Sequence, residues 1–208
     1  MKVAIIGTAG RRDDAQKLSG QTFQNMVEAA ADLINRLIEE KGVEELTLIS
    51  GGAAWADHVA VKLMLKPEGL KIKPKLRLHM PCHFRTKPYP GFLDTKVRDF
   101  RKNPGGIANY YHEKFANQLY ASRYATLREI AKAAEAGAEL VEKAFGMMER
   151  NSQVAKEADT LLAITFGENG RVKDGGTADT VKKFFAKGKT EAYHHDLNCG
   201  QTFPALCP

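Results

Sequence analysis

The sequence predicts an α/β fold: a mainly parallel sheet flanked by helices, with an added helical segment. Three observations predict it. Strand-like and helix-like runs alternate along the chain. Two short apolar runs, Val3-Ala4-Ile5-Ile6 and Leu46-Thr47-Leu48-Ile49, read as strands. Three glycine-containing loops sit between a strand-like and a helix-like run: Gly7-Thr8-Ala9-Gly10, Ser50-Gly51-Gly52-Ala53 and Gly175-Gly176-Thr177. The third follows the run 160–166 after a polar loop. In a parallel sheet such loops gather at the carboxyl edge. Their backbone N–H groups and the helix N-termini there favour an anion, usually a phosphate. Three of them in one chain point to a nucleotide-like ligand.

The elements follow in order. Residues 2–6 read as the first strand. Residues 22–41 read as a helix, because Phe23, Met26, Val27, Ala30, Leu33, Ile34, Leu37 and Ile38 recur at three-four spacing. Gly42 is its C-cap, and Lys41 complements the helix dipole. The second strand is 46–50, and the helix after it runs 55–65 until Pro67. A third strand, 76–80, stops at Pro81. Residues 82–106 form a long, basic, lid-like loop rich in Pro and Gly, with a short helix near 93–101. Long loops of this kind are usually functional or disordered. A mostly helical segment follows, 109–150. Within it Leu127, Ala131, Ala134, Ala138, Val141, Phe145 and Met148 make a heptad-like seam, which packs on the sheet or forms a dimer contact. Gly137 marks a break between two helices. Residues 159–166 read as a buried strand, 177–187 as a helix stopped by Gly188, and 191–197 as a last strand. The domain is 1–197, a single Rossmann-like unit, and 198–208 is a loose tail.

Length and composition agree with one globular domain. The chain has 208 residues, of which 43% are hydrophobic and 27% charged. No apolar run approaches a membrane span, and no charged leader precedes the first strand, so no membrane partner is expected. Three cysteines, Cys82, Cys199 and Cys207, make no even framework. That suits a reducing, cytoplasmic setting. The net charge is +6, yet residues 62–102 hold twelve Lys and Arg against three acids. This segment either attracts nucleotides or nucleic acid or is simply a solvated face.

Three constellations carry chemistry. In the first, Gly7 and Gly10 let the backbone approach a ligand, Thr8 offers a hydroxyl, and Arg11 or Arg12 can fork onto a phosphate. It is neither a Walker A loop nor a full dinucleotide fingerprint, so ATP hydrolysis and hydride transfer lose support. In the second, Ser50, Gly51 and Gly52 cradle ligand. Asp57, early in the next helix, either serves the helix dipole or meets a ribose hydroxyl or base edge. Trp55 reads as core. The third joins Glu149-Arg150-Asn151 and Ala158-Asp159 to Gly175-Gly176-Thr177-Ala178-Asp179-Thr180.

The pattern R-N-x-x-V-A-x-x-A-D-x-L-L-A followed by G-G-T-A-D-T resembles the SLOG superfamily. These are Rossmann-like nucleotide-ligand proteins related to the YpsA, DprA and LOG families. The stretches S-G-G-A-x-x-A-D and I-I-G-T-A-G-R-R match its other two signature loops, so the resemblance covers about half of the chain. The region 82–124 is similar to that of uncharacterised phage and bacterial members. The resemblance implies a Rossmann-like fold and a ligand site built from all three loops, with Arg85 or His83 reaching in from the basic segment and Arg150 and Asn151 beside it. Relatives include phosphoribohydrolases, sensors of nucleotide-derived signals, and the DNA-binding DprA proteins, and many are homodimers. The LOG enzymes carry a catalytic glutamate where this chain has Thr180. If the protein cleaves an N-glycosidic or phosphoribosyl linkage, its carboxylate comes from Asp57, Glu149, Asp179 or Glu168. If it does not, it senses or sequesters a nucleotide. No metal or other cofactor is expected. His79, Cys82, His83 and His112 lack a second compact ligand pair, and His194-His195-Asp196 reads as an edge-strand segment.

Overall fold

The computed structural model spans the whole chain and describes every residue except Phe100, Ala121, Ala144, Asn169 and Pro208. The described residues form an α/β fold whose main sheet has seven strands in the order β6-β3-β2-β1-β7-β8-β9. These are β1 (Lys2–Gly7), β2 (Thr47–Ser50), β3 (Lys75–His79), β6 (Glu139–Val141), β7 (Thr160–Thr165), β8 (Ala192–Asp196) and β9 (Gln201–Pro204). All neighbouring pairs are parallel except β8 with β9. A small antiparallel hairpin joins β4 (Phe84–Arg85) to β5 (Gly91–Phe92). The helices are α1 (Asp14–Lys17), α2 (Gly20–Lys41), α3 (His58–Leu65), α4 (Pro104–Leu119), α5 (Ala125–Glu135), α6 (Met147–Glu157) and α7 (Gly176–Phe185). None of them is long and apolar enough to cross a membrane.

The sheet is covered on both faces. Along β1 the side chains alternate: Val3 and Ile5 join the core under α2, α3, α4 and α5, and Ala4 and Ile6 join the core under α6 and α7. Burial on both sides explains why β1, β2 and β7 are near-continuous apolar runs. Helix α2 begins where the Ser19 hydroxyl accepts the Thr22 N–H at 3.1 Å. It buries Phe23, Met26, Ala30, Leu33, Ile34, Leu37 and Ile38. It ends at Gly42, whose φ of 60° returns its N–H to the Ile38 carbonyl. From β1 the chain builds β2, β3 and β6 on one side, then crosses to β7, β8 and β9 on the other. The order reverses between β1 and β7, and a crevice opens there at the carboxyl ends, where α/β sheets take ligands.

Three expectations are corrected. The segment 109–150 is not one helical block with a heptad seam. α5 stops at Gly137, whose φ is 102°, and the N–H of Ala138 bonds back to Ala133. Strand β6 then pairs with β3, so Val141 lies on a strand and Phe145 is exposed. The tail is not loose: Gly200, at φ 72°, turns the chain so that β9 pairs with β8, with Tyr193 opposite Pro204 and His195 opposite Thr202. No helix forms at 93–99 or 101. There the Asn103 side chain ties the loop, accepting from Thr95 N at 3.2 Å and donating to the Val97 carbonyl at 3.1 Å, and α4 starts at Pro104. The basic segment is rooted in the core through Cys82, Phe84 and Phe92.

Candidate functional site

The three glycine loops meet at the β1–β7 crevice, and side chains from other elements lock them together. Gly7 ends β1. Its N–H donates to Asp57 Oδ1 at 3.2 Å, and its carbonyl accepts the Thr177 hydroxyl at 3.0 Å. The next residue, Thr8, donates its N–H to the Ile164 carbonyl on β7 at 2.9 Å. The Thr8 hydroxyl donates to Asp14 at 2.6 Å and accepts the Gly10 N–H at 3.2 Å, and Asp14 also pairs with Lys173. The first loop is therefore tied to the second through Asp57 and to the third through Thr177. Ser50 closes the second loop onto its helix by donating to the Asp57 carbonyl at 2.9 Å.

Asp57 is the centre of this lock. It is buried, and it accepts backbone N–H groups from Gly7, from Gly51 at 3.1 Å and from Ala53. The Arg150 guanidinium lies 3.7 Å away. Burial pushes the carboxyl above its ordinary range, while Arg150 and the three N–H groups pull it back down. Arg150 reaches in from α6 and donates to the Gly51 carbonyl at 2.8 Å and to Asn151 Oδ1 at 3.0 Å. Asn151 passes the link on, donating to the Gly176 carbonyl at 3.1 Å and to Asp179 at 3.4 Å. One chain of polar contacts thus runs from β1 through Asp57, Arg150 and Asn151 to the start of α7.

The glycines have separate reasons. A Cβ on Gly7 would lie 2.0 Å from the Ile164 carbonyl oxygen, and one on Gly51 would lie 2.4 Å from Arg150. Both positions are closed by the protein itself. Gly175 has φ 128° and ψ −150°, a region essentially reserved for glycine, and a Cβ there would meet only open space. Helix α7 starts at Gly175 with no capping side chain, so its first N–H groups face outward. A cavity of about 370 Å³ opens there, lined by Asp174, Gly175, Ala178, Asp179 and Lys182.

Positive charge surrounds this edge. Arg11 is exposed and lies over the Tyr111 ring at 5.3 Å. Burial lowers the Arg150 pKa, Asp57 raises it, and Arg11 lowers it further, so the two arginines feel each other. Asp179 is partly buried and pairs with Lys183 at 2.8 Å. Thr180, buried, donates to the Gly176 carbonyl at 2.9 Å.

Other predicted site residues lie elsewhere in the network of contacts. Glu149 is exposed on α6 and accepts from Gln153 one turn on, at 2.9 Å. Arg85 is exposed on β4 and donates to the Tyr89 carbonyl at 3.0 Å. His83 pairs with Glu142, His79 with Glu157, and the Cys82 thiol faces the Leu93 carbonyl. Among the described residues no group of three His, Cys, Asp or Glu stands together to hold a metal. Trp55 is buried against Phe115 and Phe23.

The structure adds one residue that carried no sequence signal. His112, buried on α4, has Nε2 at 3.0 Å from the Gly52 carbonyl and Nδ1 at 3.1 Å from the Thr126 hydroxyl. Burial, then the neighbouring His58, push its pKa down to about 3, against a small rise from the Gly52 carbonyl. The ring is therefore neutral. A carbonyl only accepts, so Nε2 carries the proton and Nδ1 accepts from Thr126. His112 holds the second glycine loop from the added helical segment.

No family model matches the chain. It is 31% identical over 184 residues to "Uncharacterized protein R261" of Acanthamoeba polyphaga mimivirus, an alignment covering 88% of this chain and 90% of the viral protein. At that identity and coverage the two share one fold from the first loop to the last, and this chain belongs to the family of that mimivirus protein.

Proposed function

We propose that this protein binds a nucleotide or nucleotide derivative at the carboxyl edge of the sheet, in a site of the SLOG type. The observation that carries the reading is the locking of three glycine loops around the β1–β7 crevice through Asp57, Arg150, Asn151 and Thr177. The anion is expected at the start of α7, where uncapped N–H groups face a cavity of about 370 Å³. Lys182 lines that cavity, and Arg11 stands at the first loop with its charge exposed. Among the carboxylates proposed as catalytic, Asp57 has its oxygens turned to backbone N–H groups and Glu149 is bonded along its own helix. This favours binding over turnover. A second reading, cleavage of the N-glycosidic linkage, rests on Asp179, the one of the three that lines the cavity. The three free cysteines suit a reducing, cytoplasmic setting.

The test is to incubate the purified protein with nucleoside mono-, di- and triphosphates and cyclic nucleotides. Mass spectrometry then reads both the supernatant and the heat-released bound fraction. Unchanged nucleotide in the bound fraction supports the binder. Free base or ribose phosphate formed with turnover supports the second reading, in which Asp179→Asn abolishes turnover and keeps binding. No bound nucleotide and no product would refute both.

A further inference from the structure

We propose that the outer face of α5, together with the tip of the β4–β5 hairpin, binds single-stranded nucleic acid. In sequence the basic residues of 62–102 lack interleaved aromatics of the single-strand-binding kind. The fold supplies them. Tyr124, Arg128 and Lys132 recur every four residues, and all three are exposed. They form one stripe, about 12 Å long at 1.5 Å per residue. Glu135 continues the stripe, and there Lys87 pairs with it at 2.8 Å, docking the hairpin tip onto the end of α5. The tip presents Tyr89, 76% exposed. The surface therefore has an aromatic ring near each end and cations between them.

Charge and stacking both point to one occupant. Arg123 lies 4.6 Å from the centre of the Tyr124 ring, leaving the opposite face of the ring for a base. Arg128 has only the Ser122 hydroxyl as a described partner, at 3.4 Å, and Lys132 has no described acidic partner. With Lys87 the stripe holds four cations against Glu135 and, at 3.9 Å from Arg123, Glu113. Cations spaced along a helix suit a phosphate backbone, and exposed rings suit unstacked bases of any sequence. The site makes no use of the glycine loops, so it stands apart from the nucleotide reading.

The experiment uses the full chain and fluorescently labelled twenty-residue oligothymidylate and oligouridylate, read by anisotropy between 50 and 200 mM salt. Binding is expected with a slope of log K on log salt of about −3, from four phosphate contacts at ~0.7 each. Arg128→Glu with Lys132→Glu should weaken binding at least about tenfold, and Tyr89→Ala or Tyr124→Ala about five- to thirtyfold. Thermal melts and mononucleotide binding should stay as in the parent, because all four side chains are exposed. Preference between the two oligonucleotides names the sugar. Absence of binding at 50 mM salt, or variants within twofold of the parent, overturns the proposal. So does tighter, equally variant-sensitive binding to vesicles of anionic phospholipid.

Discussion

Asp57→Asn is the perturbation that best separates a structural carboxylate from a catalytic one. The change is isosteric and removes the charge. One of the two oxygens becomes an NH2, so at least one of the N–H groups of Gly7 and Gly51, now 3.2 and 3.1 Å from the carboxylate, faces a donor. Arg150, whose side chain is 11% exposed, loses the only acidic side chain recorded against it among the described residues. Removing one partner of a buried ion pair costs about 3–5 kcal/mol, mostly through the orphaned charge. Arg150 keeps its bonds to Gly51 and Asn151, which places the expected loss near the low end, about 3 kcal/mol. In a chain of this size that lowers Tm by about 6–12 °C. Replacing both charges, as Asp57→Asn with Arg150→Met, should cost less than the two single changes summed, by at least ~1.5 kcal/mol. The assay is urea unfolding followed by circular dichroism, paired with nucleotide affinity. A loss below ~1 kcal/mol, or strict additivity in the double variant, would refute the lock. Unchanged stability with abolished turnover would make Asp57 catalytic after all.

Two further outcomes follow from the geometry. Gly175→Ala should cost about 1–3 kcal/mol from backbone conformation alone, since φ is 128° and the added methyl meets nothing within 4 Å. Gly176→Ala, whose Cβ would meet Asn151 at an ordinary 3.7 Å, should stay within about 0.5 kcal/mol, and thermal melts of the pair check the contrast. His112 should make the protein acid-sensitive. Its folded pKa of about 3 lies below the ordinary 6.5, so the unfolded chain takes up a proton that the folded one refuses. Stability is full above pH 6.5 and falls as pH drops toward 3, by up to about 4 kcal/mol. Burial lowers His79, His194 and His195 in the same direction. His112→Gln keeps an amide donor for the Gly52 carbonyl and should flatten the urea midpoint between pH 7 and 4. An unchanged slope would show that this imidazole does not titrate with unfolding.

What the chain reveals in sequence tracks how much of each element is buried. β1, β2 and β7 lie in the sheet interior and are legible as apolar runs, with Val3, Ala4, Ile5, Leu48, Ile49, Leu161 and Leu162 fully buried. β6 and β9 are the two edges. An edge strand has one partner and needs little apolar surface, so Glu139-Leu140-Val141 and Gln201-Thr202-Phe203-Pro204 carry no strong pattern. The spacing of Leu127, Ala131 and Ala134, real on α5, runs on by chance into β6 and suggests one helix where the structure has a helix, a strand and another helix. His112 was illegible for a different reason: its partner, Gly52, lies sixty residues away and offers only a backbone carbonyl.

The glycines also redistribute the argument for a ligand. A glycine between strand and helix reads as space for a phosphate, yet at Gly7 and Gly51 the space is taken by Ile164, Ala56 and Arg150. These two positions are small because the loops must approach each other closely enough for Asp57 to bind both backbones. Asp57 reads as chemically active for the same local reason: an acid just inside a helix, after two glycines, looks aimed at a ligand. In the fold it points back into the loops, because unpaired N–H groups at Gly7, Gly51 and Ala53 are a stronger claim on a buried carboxylate than open water. At Gly175 and Gly176 the reasoning reverses. No side chain fills the space, no cap satisfies the helix, and the backbone adopts a conformation that only glycine tolerates. The first two loops are therefore scaffold, and the anion belongs with the third.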